Sequence, residues 1–166
     1  MKEKAPAPET LVDKEKYQVF LFVCPAALPV SFAMHPWFVV NKKGEISRWE
    51  VFWRSSQNET SWGHIHKNFY PPFVGIAKIT FSDKYLWKNP RLIGYVEGDA
   101  QSLAARMVAF IEASPHSYLH VNEYHLLGPN SNTYVQWVLN NFPEVKLSLP
   151  RNSIGKDKDV NYKRPL

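Results

Sequence analysis

The segment Tyr17–Cys24, Tyr-Gln-Val-Phe-Leu-Phe-Val-Cys, constrains the fold of this chain more than any other. A run this apolar, built from β-branched and aromatic residues, reads as a strand buried on both faces. The apolar character continues to Met34 and raises the question of a membrane span. Pro25 and Pro29 argue against one, because each would break a helix, and Gln18 and Ser31 add polarity. The stretch therefore predicts a buried strand followed by a Pro-punctuated loop over 25–33.

The following segments continue a sheet. His35–Asn41 reads as a second strand, closed by the turn Lys42-Lys43-Gly44. Ile46–Arg54 reads as a third, close enough to the second to form a hairpin. Its alternation puts Ile46, Arg48, Glu50, Phe52 and Arg54 on one face and Ser47, Trp49, Val51 and Trp53 on the other. Residues 55–75 predict a long loop or two short edge strands, and Ala77–Phe81 and Leu92–Glu97 predict further strands.

Gly98-Asp99 is expected to open a helix over about 100–113, with Leu103, Met107, Phe110 and Ile111 as its apolar stripe and Pro115 as its stop. A second helix is predicted from about Ser131 to Asn141, with Tyr134, Val135, Val138, Leu139 and Phe142 as its stripe and Pro143 as its stop. Val145–Leu149 offers a short final strand. The expected class is α+β, an antiparallel sheet with two main helices.

The 166 residues supply one domain's worth of core. We expect a flexible N-terminal arm over 1–16, a single domain over 17–158 and a basic tail over 159–166. The single Cys, Cys24, excludes an internal disulfide and a Cys-based structural zinc site. It lies in an apolar run without a basic neighbour, so an inert core thiol is expected.

The formal net charge of +5 first suggests an acidic partner. Its location weakens that reading. Lys146, Arg151, Lys156, Lys158, Lys163 and Arg164 stand against Asp157 and Asp159 in the last 21 residues, so most of the excess belongs to the end of the chain. No nucleic-acid motif accompanies it, so nucleic-acid and membrane partners are not expected, and a basic-tail adaptor for either stands as a third, weaker reading. Residues 1–16 hold no apolar signal core, so the cytoplasm is the expected location.

Tyr124-His125-Leu126-Leu127-Gly128-Pro129-Asn130-Ser131-Asn132-Thr133-Tyr134 is the most informative phrase. Asn130 suits the N-cap of the helix that follows. Ser131 then falls in the first helical turn, near orphan N–H donors, a place for a nucleophile or an anion. The plainer reading makes Asn130, Ser131, Asn132 and Thr133 capping residues only.

His35, at a strand end, could serve as a general base, or it could be a half-exposed histidine bonded to backbone. Glu50, in mid-strand on the neighbouring arm, could orient the His35 imidazole, or it could face solvent. His64-x-His66 could place two metal ligands on one strand face, but no third ligand is near, and no metal or other cofactor is expected.

Two segments resemble the domain of unknown function 3750 family, a bacterial group without an established activity. One is His35-Pro36-Trp37-Phe38-Val39-Val40 with Arg48-Trp49-Glu50-Val51. The other is Gly128–Tyr134 with Leu149-Pro150 and Ser153-Ile154-Gly155-Lys156-Asp157 behind it. More distantly, the order of an early strand His and a later Tyr-x-Leu-Leu-x-x-Asn-x-Asn phrase resembles the circularly permuted papain-like hydrolases. These include the PPPDE isopeptidase-like proteins and the lecithin:retinol acyltransferase group.

That resemblance implies a permuted papain-like architecture, with His35 as base, Ser131 at the nucleophile's position and Glu50 as the third polar residue. Asn130, Asn132, Tyr124 and Trp37 would contribute to binding, with Tyr124 near the oxyanion side. It implies a hydrolase or acyltransferase acting on an amide, thioester or ester, or an inactive binding module. The ligand would be a small molecule, a peptide, a glycan or a lipid-like head group. The papain-like pattern has Cys where this chain has Ser131, and a serine hydroxyl does not ionise near neutral pH as a helix-end thiol can.

Overall fold

The computed structural model describes residues 6–80 and 82–160. Its strands are β1 (Tyr17–Pro25), β2 (Met34–Lys42), β3 (Glu45–Val51), β4 (Ser61–Trp62), β5 (Ile65–Lys67), β6 (Ala77–Ile79), β7 (Ser82–Leu86) and β8 (Arg91–Gly98). Its helices are α1 (Leu103–Ser117) and α2 (Ser131–Asn141). Six strands form one antiparallel sheet in the order β4-β5-β3-β2-β1-β8, and β6 and β7 form a separate hairpin. The class is α+β, with a mostly antiparallel sheet and two helices.

The apolar run at 17–24 sits inside the sheet, between β2 and β8, and both its faces are covered. Val19, Leu21 and Val23 point to the helices and meet Met107, Ile111 and Val138. Phe20, Phe22 and Cys24 point the other way and pack with Trp37 and Val39 under Leu11, Phe73 and Trp87. Each such side chain contributes about 1.5–3 kcal/mol when removed from water. The alternation of a pleated strand thus builds two cores on one sheet.

Several local expectations are corrected. Pro115 lies inside α1 rather than ending it. The lost N–H falls in the last turn, where Tyr118 N–H still donates to Ser114 O at 2.8 Å. The helix begins at Leu103, not near 100, because Asp99 closes a turn first and Ser102 Oγ caps Ala105 N–H at 3.1 Å.

Val145–Leu149 joins no ladder; Val145, Leu147 and Leu149 pack into the helix-side core as irregular chain. β3 stops at Val51, short of Arg54. The strand expected over Ala77–Phe81 ends at Ile79, and Phe81 itself lies outside the described residues. In the expected N-terminal arm, Pro8–Leu11 form a 3-10 turn, and Leu11 and Val12 cover the second core. Residues 1–5 of that arm and 161–166 of the tail lie outside the described residues. Among the described residues, no helix is long and apolar enough to cross a membrane.

Candidate active site

α2 is built from its cap outward. Asn130 Oδ1 accepts from Asn132 N–H at 3.0 Å and Thr133 N–H at 3.3 Å, and Thr133 Oγ1 accepts from Asn130 N–H at 3.0 Å. The Asn130 amide group also donates to Leu126 O at 3.0 Å and Ile154 O at 3.1 Å. Gly128, at φ +95°, supplies the left-handed turn before the cap, with Gly155 O and Lys158 packed against it. Asn132 Nδ2 then donates to Met34 O at 3.0 Å, which ties the helix start to the first residue of β2. The neighbours of that bond are Ser131 on the helix and His35 on the strand.

His35, Glu50 and Arg48 form a buried charged row. The β2–β3 register pairs Phe38 with Trp49. Continued along the strands, it sets His35 diagonally from Glu50 on one face. His35 Nε2 lies 2.9 Å from Glu50 Oε2, which also accepts from Arg48 NH2 at 2.8 Å. Arg48 Nε lies 2.7 Å from Glu50 Oε1, but that N–H is off the line, so the second contact is an ion pair without an aligned hydrogen bond.

Arg48 is wholly buried. It donates to Pro71 O at 2.7 Å and to Val74 O, with its guanidinium 4.2 Å from the Trp37 ring centre. Burial pushes the Glu50 carboxyl up, but the Arg48 charge and the His35 bond outweigh it, so its pKa lies below the usual carboxylate value. Glu50 is therefore an anion, and His35 Nε2 carries the proton it accepts.

A cavity of about 260 Å³ opens at this end of the sheet. His35, Tyr124, Asn130, Ser131 and Asn132 line it together with the loop 26–33 and Phe52–Arg54. Ser131 and His35 thus share one cavity, and no hydrogen bond joins them among the described residues. In the first turn of α2, Asn130 occupies the Asn132 and Thr133 N–H groups, which leaves the Ser131 N–H as the free amide among the described residues.

Burial pushes the Tyr124 phenol up to about 12, so it stays a neutral O–H. Trp37 is fully buried and carries Arg48 beneath the site instead of lining the cavity. Cys24 is buried, and burial pushes its thiol up to about 12.

A second polar group borders the cavity. Arg54 reaches Asp83 at 2.5 Å, and Tyr70 O–H donates to the same carboxylate at 2.7 Å. His66 is buried, 2.8 Å from Ser61 Oγ and stacked on Phe52 at 4.1 Å. Among the described residues, no group of three His, Cys, Asp or Glu side chains could hold a metal ion.

Sequence reasoning missed Arg48 as a member of the row. The signal was present, since Arg48-x-Glu50 on one strand face between apolar residues forces two charges into the same layer. Tyr70 and Asp83 carried no comparable signal.

A family model described as a protein of unknown function, DUF3750, matches residues 16–158. No curated protein and no solved structure matches the chain.

Proposed function

Because the chain belongs to the DUF3750 family of proteins of unknown function, we propose its activity from geometry: a hydrolase or acyltransferase that uses Ser131, His35 and Glu50 on an amide, thioester or ester. The observation that carries this is the buried Arg48–Glu50–His35 row ending in the cavity that Ser131 lines. Glu50 takes the Nε2–H of His35 and fixes the tautomer, so Nδ1 is the free base. Ser131 Oγ forms a bond to the substrate carbonyl carbon as its proton passes to His35 Nδ1. The Ser131 N–H, with the Tyr124 hydroxyl as a second donor, stabilises the oxyanion. His35 then gives the proton to the leaving group, and water or an acyl acceptor releases the acyl group from Ser131.

The chain order, a base on an early strand and a nucleophile on a late helix, is the order of a circularly permuted papain-like fold, and we read the architecture that way. The cavity ligand is a small molecule, a peptide or a lipid-like group, and the working location is the cytoplasm. A second reading, a binding module without turnover, is favoured by one observation: Ser131 and His35 are not hydrogen bonded, so attack requires closure onto substrate.

An alkyl fluorophosphonate separates the two. We expect it to label the native chain at Ser131 and to label neither Ser131→Ala nor His35→Ala. A native chain that stays unlabelled defeats the hydrolase reading and leaves the binding module.

A further inference from the structure

Single exposed apolar side chains are ordinary on a surface, but a cluster of them is not. Here they gather around one opening. Leu28, Trp53 and Leu126 line the cavity, yet each is more than half exposed. Ile79 bridges to Leu28, Phe32 lies in the same loop, and Leu127 follows Leu126. Phe32 and Leu127 are the most exposed large apolar side chains, at 67 % and 73 %. Neither lines the cavity, so a small ligand inside it would not cover them.

The same segments are basic. Arg54, Lys78, Lys84, Arg151, Lys156 and Lys158 stand against Asp83, Asp157 and Asp159; Arg54 is paired with Asp83 and Lys158 lies 3.9 Å from Asp159, so the excess rests on Lys78, Lys84, Arg151 and Lys156. Asn152 holds the 151–158 segment to the loop through Phe32 O at 3.0 Å and Met34 N–H at 3.2 Å. Lys158 packs beside Gly128, one residue from Leu127.

We propose that this face docks on an anionic lipid bilayer. Phe32, Leu127 and Trp53 enter the boundary of the acyl region, while the Lys and Arg side chains keep their charged heads at the phosphates. The mouth of the cavity then opens onto lipid. Docking stands on this face alone; that a lipid acyl carbonyl is what reaches Ser131 rests on the reading given under Proposed function.

The test is flotation of the full chain with vesicles of phosphatidylcholine alone, or of phosphatidylcholine mixed with phosphatidylglycerol. Partition onto the anionic vesicles, weakened by salt, is expected. The double variant Phe32→Ser, Leu127→Ser loses it while its thermal unfolding, followed by tryptophan fluorescence, stays cooperative near the native midpoint, which shows the chain still folded. Lys84→Gln with Lys158→Gln weakens partition roughly thirtyfold.

Ser131→Ala partitions like the native chain, so failure of the catalytic reading and failure of docking give different results. No partition onto anionic vesicles, or undiminished partition of the Phe32/Leu127 variant, overturns the proposal. So does a soluble dimer that this variant dissociates in light scattering without any vesicle binding, because the face would then be a protein interface.

Discussion

Replacing Glu50 by Gln keeps the side-chain shape and removes the charge. Glu50 is fully buried and makes three contacts, to Arg48 NH2 at 2.8 Å, Arg48 Nε at 2.7 Å and His35 Nε2 at 2.9 Å. In Glu50→Gln the amide N–H₂ faces donors, and the Arg48 charge stays buried with only the Pro71 and Val74 carbonyls and the Trp37 face around it.

Breaking one side of a buried ion pair costs about 3–5 kcal/mol. For a chain of this length that lowers Tm by roughly 6–20 °C, out of a total stability of about 5–15 kcal/mol. The pH dependence carries a sign. The folded pKa of Glu50 is lowered, so its contribution is present above the unfolded value near 4.5 and is lost as pH falls through the folded value. The gap between native and variant chains should therefore narrow on acidification.

Urea unfolding followed by tryptophan fluorescence at a series of pH values measures both effects. A loss below about 1 kcal/mol at neutral pH, or a gap that stays constant into acid, would refute an Arg48-held anion at Glu50.

Two further outcomes follow from other buried polar groups. Asp and Asn are nearly equal as N-caps in general, but Asn130→Asp should destabilise more than Asn130→Ala in thermal unfolding, because a carboxylate would face the Leu126 and Ile154 carbonyls that Asn130 Nδ2 now serves. Burial lowers the pKa of His66, so its neutral form stabilises the fold above the unfolded value of 6.5 and that contribution is lost as pH falls through the folded value. His66→Gln should flatten the stability curve just below pH 6.5, with His64, lowered for the same cause, keeping part of the slope.

The amino-acid sequence by itself determined the features whose causes are local or compositional. Tyr17–Cys24 has no polar face, so it had to lie inside a sheet with cover on both sides. Asn130 lies three residues from Thr133, the spacing of a reciprocal cap, and α2 starts and ends where that cap and Pro143 set it. Local rules failed where neighbours outweighed them. Pro115 lost one bond in a helix already packed through Met107 and Ile111, and Val145–Leu149 put Val145, Leu147 and Leu149 into the helix-side core as irregular chain.

Only the tertiary structure decided which residues meet at the candidate site. The meeting of His35 and Glu50 depends on the β2–β3 register, in which a slip of one residue would turn either side chain to the other face. Arg48 could be placed on a face from its alternation, but its capture by Pro71, Val74 and Trp37 required a loop to close over it. The cavity mouth joins the 26–33 loop, Phe52–Arg54, Leu126 and Ile154, segments far apart in the chain. No local pattern encodes such a meeting, because it follows from how the sheet twists and where its loops close.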